Sequence, residues 1–154
     1  MNALIVAGSR YMTCAEHCVI VANACDAFVA RYWRPDVVVH GACRDRNGNP
    51  AGADWMGEHW AQASNIPVER FEVAREEWDR LGRRAGPMRN RRMLARALEA
   101  DRCGLVVVSE TRTGTSGSRD MWTAATGEPR MDVLAVTIDL ATGDVLREMW
   151  RDGR

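Results

Sequence analysis

Trp78-Asp79-Arg80-Leu81-Gly82-Arg83-Arg84-Ala85-Gly86-Pro87-Met88-Arg89-Asn90-Arg91-Arg92-Met93 is polar and rich in arginine, yet it lies between two apolar runs that read as buried strands, residues 68–73 and 105–108. Ala85-Gly86-Pro87 reads as a turn into a helix over residues 88–100. Pro87 is then suited to the first helical position, where a missing N–H costs nothing. Arg89 falls in the first turn on this reading, beside free backbone N–H groups and the positive end of the helix dipole, a setting that suits a phosphate.

The same alternation recurs along the chain. Residues 4–7 form a short apolar run ending in Gly8-Ser9-Arg10. A helical period follows over residues 13–33, with Cys14, Cys18, Val21, Cys25, Phe28 and Val29 expected to face inward. Val37-Val38-Val39 is a second strand, ending at His40-Gly41-Ala42. Asn47-Gly48-Asn49-Pro50 marks a turn. Gly52-Ala53-Asp54 opens a second helix, with Asp54 expected at its N-cap. Residues 105–108 and 133–138 give the fourth and fifth strands, separated by a Thr/Gly/Ser loop and a helix over residues 119–126. Ala141-Thr142-Gly143-Asp144 is a hairpin turn, returning residues 145–149 as an antiparallel edge strand. Apolar strands alternating with helices predict one α/β domain over residues 1–154: three layers around a mostly parallel sheet of about five strands, with a core at 1–138 and a C-terminal hairpin at 139–150.

Ligands of such folds bind beyond the carboxyl ends of the strands, near the switch in strand order. The loops expected there are Gly8-Ser9-Arg10, residues 40–54, residues 74–87 and residues 109–118. These are also the polar, glycine-rich parts of the chain.

Composition narrows the chemistry. The chain has 154 residues and a formal net charge of zero, which gives no global field for nucleic acid. The chain has no lysine, so a P-loop lysine, a Schiff-base lysine and a lysine base are excluded. No apolar stretch is long enough to span a membrane, and the opening residues run directly into a strand pattern with no basic leader region, so a cytoplasmic location is expected. Five cysteines without a CxxC pair read as free thiols in a reducing compartment and small buried hydrophobes; no metal or cofactor site is expected.

Several residues carry candidate chemistry. Gly114-Thr115-Ser116-Gly117-Ser118 precedes a helix, and its small residues would let backbone N–H groups cradle a phosphate; an ordinary strand-to-helix turn fits equally well. Asp120 stands where a carboxylate reaches a ribose hydroxyl or assists at a glycosidic bond, or simply complements the helix dipole. Asp54 has the same two readings. His40 ends a strand and reads as a base or a structural group. Trp78 reads as a surface on which a base stacks, or as core. Trp55, Met56 and Trp60 form a bulky stripe, first for packing and second for a subunit interface that would make a homodimer or higher homo-oligomer.

Val37-Val38-Val39-His40-Gly41, then Gly52-Ala53-Asp54, then residues 78–93 with their Ala-Gly-Pro-x-Arg-Asn-x-x-Met core, then Gly-x-x-Gly-Ser-x-Asp at 114–120, resemble the YspA-related branch of the SLOG superfamily (DUF2493), which occurs in bacteria and bacteriophages. The resemblance covers residues 1–138. It implies a Rossmann-like fold and binding of a nucleotide or nucleotide-derived ligand. The superfamily includes the cytokinin-activating phosphoribohydrolases, whose arginine and methionine Arg89 and Met93 match, and whose phosphate loop Gly114, Gly117 and Ser118 match. Asn90 stands where those enzymes carry lysine, Thr115 replaces a loop glycine, and Asp120 lies one position before their glutamate.

The expected site therefore comprises Gly8, Ser9, Arg10, His40, Gly41, Asp54, Trp78, Gly86, Pro87, Arg89, Asn90, Gly114, Thr115, Ser116, Gly117 and Ser118, with Arg89 and Asp120 as the catalytic pair if there is turnover. The expected function is binding of a phosphorylated nucleotide-type small molecule. The alternatives are hydrolysis of an N-glycosidic bond in such a ligand, and non-catalytic sequestration of, or adaptation to, a nucleotide signal, as in a phage product. Nucleic acid and membrane are not expected partners.

Overall fold

Each apolar run becomes a strand, and each amphipathic run between them a helix. The structure, a computed structural model, describes residues 1–110 and 117–154 in full and the backbone of Ser116. In order, the elements are β1 (Asn2–Gly8), α1 (Ala15–Arg31), β2 (Val37–His40), α2 (Ala53–Ala63), β3 (Val68–Arg70), α3 (Arg75–Leu81), α4 (Ala85–Leu98), β4 (Arg102–Glu110), α5 (Ser116–Thr126), β5 (Met131–Ile138) and β6 (Val145–Arg151), with a short 3-10 turn (Gly82–Arg84) between α3 and α4. The sheet order is β3-β2-β1-β4-β5-β6. The first five strands run parallel and β6 returns antiparallel beside β5. This is a Rossmann-like α/β fold with its switch point between β1 and β4.

Strand alternation divides the core in two. Leu4 and Val6 point to the face covered by Val21 and Phe28 of α1 and Met56 and Trp60 of α2. Ala3, Ile5 and Ala7 point to the face covered by Met93 and Ala97 of α4 and Met121 and Ala125 of α5. With both faces covered, the central strands need apolar side chains at every position, which is why they read as unbroken hydrophobic runs. Gly8 ends β1 where space runs out: a Cβ there would lie 2.7 Å from the Cβ of Ala53, so the start of α2 rests directly on the strand end. No helix among the described residues is long and apolar enough to cross a membrane.

The structure revises four local expectations. The inward face of α1 is His17, Val21, Ala24, Cys25 and Phe28, while Cys14 and Cys18 are exposed. The stripe is rotated because His17 is buried: its Nδ1 accepts from the Thr13 N–H (3.0 Å), and Nε2 donates to the Leu140 carbonyl (3.1 Å). The N-cap of α2 is Gly52, at φ 91°, and Asp54 sits inside the first turn. β3 spans only three residues, although the Phe71 N–H still donates to the His40 carbonyl. Finally, residues 74–87 are largely helical rather than a loop. The helix α3 has no buried residue and so shows no apolar stripe.

That last revision moves the start of α4 to Ala85. Pro87 becomes the third helical residue, still within the four whose N–H groups have no intrahelical acceptor. Arg89 becomes the fifth residue, beyond the first turn. The Ala85 N–H is already bonded to the Gly82 carbonyl and Pro87 has no N–H, so the helix end is not an open cradle for an anion. What Arg89 brings to a ligand is its guanidinium.

Candidate functional site

The carboxyl ends of β1 and β4 diverge at the switch point, and a cleft opens there. It is lined by Ala7, Gly8, Arg10, Cys43, Asp54, Arg89, Asn90, Met93, Gly117 and Ser118. Its volume of about 40 Å³ holds about three waters or one phosphate-sized group. A larger hollow of about 510 Å³ lies at the opposite edge of the sheet, beside Pro129 and residues 151–154. Of its charged groups, Asp152 is already engaged by Arg31 and Tyr32 and Arg151 by the Ala125 carbonyl, and the hollow lies away from the switch point. The smaller cleft is the candidate site.

Arg89 is the centre of the cleft. It is 8% exposed. Its Nη1 donates to the Gly41 carbonyl at 2.6 Å, its Nε to Asn90 Oδ1 at 3.1 Å, and its Nη2 faces Cys43 Sγ at 3.9 Å. No carboxylate oxygen among the described residues lies within 4.0 Å of it. Other arginines differ: Arg70 pairs with Glu58, Arg92 with Glu77 and Arg96 with Glu69. Burying a cation without a counter-charge is costly, so an anion supplied from outside would be strongly favoured. Gly41 makes the slot for this side chain, since a Cβ there would come within 2.6 Å of Arg89 Cζ.

Asn90 ties the two walls together. Its Nδ2 donates to the Gly117 carbonyl (3.1 Å) and to Asp120 Oδ2 (2.9 Å), both on α5. Asp120 thus stands one step behind the lining, held through Asn90. Asp54 is 3% exposed and lines the cleft directly. Its Oδ2 accepts from the Cys43 N–H at 3.3 Å, and the Cys43 thiol also hydrogen-bonds its carboxylate.

Cys43 joins these groups, and the sequence reading missed it. The only signal was its place just after β2, equivalent to that of Gly8-Ser9-Arg10 after β1. The loop beyond it folds into a small antiparallel turn, where Asp45 caps the N–H groups of Asn47 and Asn49 and Arg44 bridges to Pro50. The Ala51 N–H then returns to the Cys43 carbonyl. Burial, helped by the nearby Asp54 charge, pushes the Cys43 thiol up to about 12. It is a neutral neighbour of Arg89 rather than a thiolate partner.

Other expected site residues take supporting places. Ser9 is buried beneath the cleft, its N–H on the Val108 carbonyl and its Oγ accepting from the Tyr11 N–H. His40 is fully buried, with Nδ1 accepting from the Ala42 N–H (3.0 Å) and Nε2 donating to Glu58 Oε1 (3.2 Å). Both ring nitrogens are engaged, and the ring braces the turn that carries Gly41 and Cys43. Trp55 caps this network, its Nε1 on the Cys43 carbonyl and its ring beneath the Arg70 guanidinium. Trp78, Gly86 and Pro87 lie outside the lining: Trp78 is 44% exposed on α3, and its ring lies over Gly86. Arg10 stands at the mouth, exposed, with no ion pair among the described residues. Gly114 and Thr115, and the side chain of Ser116, lie outside the described residues.

Among the described residues, no three His, Cys, Asp or Glu side chains are grouped so as to hold a metal ion. Compared with protein families, curated proteins and solved structures, the chain matches none.

Proposed function

We propose that the cleft binds the phosphate of a nucleotide or nucleotide-derived small molecule, the activity implied by the SLOG resemblance. The observation that carries this reading is Arg89: buried, without a carboxylate partner, and facing a phosphate-sized space at the switch point of the sheet. Arg10 at the mouth adds a second positive charge, and Gly117 and Ser118 at the start of α5 line the opposite side. In this reading the protein works in the cytoplasm, where its five unpaired thiols stay reduced.

Isothermal titration with a panel of ribonucleoside monophosphates, followed by Arg89→Met, tests the reading. Methionine keeps the apolar stem and removes the charge. The variant should bind at least about tenfold more weakly, as expected for loss of a charge-assisted contact. Equal binding by Arg89→Met and wild type would remove the basis of the proposal. Chromatography of the same mixtures separates binding from turnover, since free base appears only if the N-glycosidic bond is cleaved. The engagement of Asp120 by Asn90, one step behind the lining, favours binding or sequestration over hydrolysis.

A further inference from the structure

We infer that Asp54, rather than Asp120, receives the sugar hydroxyls of the bound ligand, so that the cleft selects a phosphorylated ribose over a sugar lacking those hydroxyls. This rests on the phosphate site proposed above and adds a second, separable recognition element to it.

The position of Asp54 is set by the start of α2. Gly52 caps α2 at φ 91°, and the Ala53 N–H donates to the Ser9 carbonyl at 3.1 Å, so the first turn of α2 is fixed against the end of β1. That places the next residue, Asp54, in the cleft and almost entirely out of solvent. Its hydrogen bonds among the described residues are both to Cys43, whose N–H donates to Oδ2 and whose thiol meets the carboxylate. No cation among the described residues lies within 4.0 Å to neutralise the group. A carboxylate this buried and without a counter-charge favours further hydrogen-bond donors from the cleft it lines. Asp120 lacks these features: it is partly exposed, outside the lining, and already bonded to Asn90.

Asp54 and Arg89 flank Cys43, which touches both. Among the described residues, the space between them is bounded by a cation without a carboxylate partner on one side and a carboxylate without a cation partner on the other. An anion alone fits only the first, because it would be repelled by Asp54. A ligand that fits both carries an anionic group and, a few bonds away, O–H donors. A sugar phosphate has that chemistry: the ester phosphate meets Arg89, and ring hydroxyls donate to Asp54. A site that hydrogen-bonds a hydroxyl rejects the analogue lacking it, because the buried acceptor is then left unpaired.

Titration calorimetry with the four ribonucleoside 5′-monophosphates, their 2′,3′-dideoxy counterparts and inorganic phosphate tests the assignment in wild type, Asp54→Asn, Asp54→Ala and Arg89→Met. For the best ribonucleotide, wild type should bind the dideoxy form at least about tenfold more weakly, the loss expected for one charge-assisted hydrogen bond. Asp54→Ala should lower the ribonucleotide to the dideoxy level and leave the dideoxy affinity unchanged or improved. Asp54→Asn keeps an acceptor for the Cys43 N–H, and with it the local fold, and should narrow the gap; it carries the test if the alanine variant does not fold. Arg89-dependent binding that ignores the hydroxyls in wild type, or a ribose preference that survives in the Asp54 variants, would overturn the Asp54 assignment while leaving the phosphate site intact. Failure of every nucleotide to bind would overturn both.

Discussion

The side-chain amide of Asn90 donates to the carboxylate of Asp120 at 2.9 Å, joining α4 to α5 across a sequence separation of 30 residues. The same amide donates to the Gly117 carbonyl, and its oxygen accepts from Arg89 Nε. One side chain therefore sets the distance between the two walls of the cleft and the orientation of the arginine inside it. Asn90→Ala should lower unfolding free energy by about 1–3 kcal/mol, because it leaves buried partners unpaired, and should also weaken nucleotide binding. Asn90→Asp keeps an acceptor for Arg89 Nε but sets two carboxylates side by side, so the part of its loss that comes from Asp120 should be recovered in acid as one is protonated. Urea melts at pH 7 and pH 4 check both. Equal losses at the two pH values would show that Asp120 is not the partner that matters.

Gly41 should behave as a site residue although it offers a ligand no side chain. A Cβ at this position would overlap the guanidinium of Arg89, which is itself buried. Gly41→Ala is expected to cost about 1–3 kcal/mol by overpacking. It should also reduce nucleotide affinity to near that of Arg89→Met, because the cation is pushed off its carbonyl anchor. The comparison by calorimetry is direct. A Gly41→Ala protein with full affinity would mean that the guanidinium can be displaced without consequence.

The His40–Glu58–Arg70 network beneath the cleft makes a pH prediction. Hydrogen bonding by Arg70, and secondarily by His40, holds the Glu58 carboxyl below the usual carboxylate range despite its burial. A group whose folded pKa is depressed stabilises the fold fully above its unfolded value, about 4.3 for glutamate. That stabilisation is lost as pH falls through the lowered folded value. Wild type should therefore lose stability on acidification below about pH 5 more steeply than Glu58→Gln, which has no proton to take up there. Parallel acid limbs for the two proteins, in denaturant midpoints against pH, would remove Glu58 from the account.

The frame was legible because its cause is local. Residues 4–7, 37–39 and 105–108 are apolar throughout, and only a strand covered on both faces needs that pattern. The strand-end loops followed from the same alternation, so Gly8, Arg10, Asp54, Arg89, Asn90, Gly117 and Ser118 reach the cleft as expected. Features set by distant partners were not legible. His17 looks like a solvent-facing residue until Leu140, 123 positions away, takes its proton-bearing nitrogen. That contact rotates α1 and turns Cys14 and Cys18 outward. The helix α3 has no buried residue, so it left no periodic signal; its ties to α4 include the Glu77–Arg92 ion pair and the Trp78 ring over Gly86. The pairing of Arg89 with Gly41 joins two motifs 48 residues apart, each readable alone but not as a contact.

The cysteines give the last prediction, and it probes the rotation of α1 and the closure of the cleft together. Cys14 and Cys18 are exposed, whereas Cys25 and Cys103 are buried, with thiols pushed up chiefly by desolvation. Cys43 lies between these classes in exposure, but its thiol is raised to about 12. Reaction with a maleimide requires both access and thiolate, so native protein at pH 7 should label rapidly at two positions, Cys14 and Cys18. Cys43 should react slowly, faster as pH rises, and more slowly again when a nucleotide covers the cleft. Peptide mass spectrometry over a time course reads all five sites at once. Protection of Cys14 and Cys18 to the level of Cys25 would return α1 to the orientation its cysteine spacing first suggested. Nucleotide saturation that left the Cys43 rate untouched would place the ligand away from Arg89.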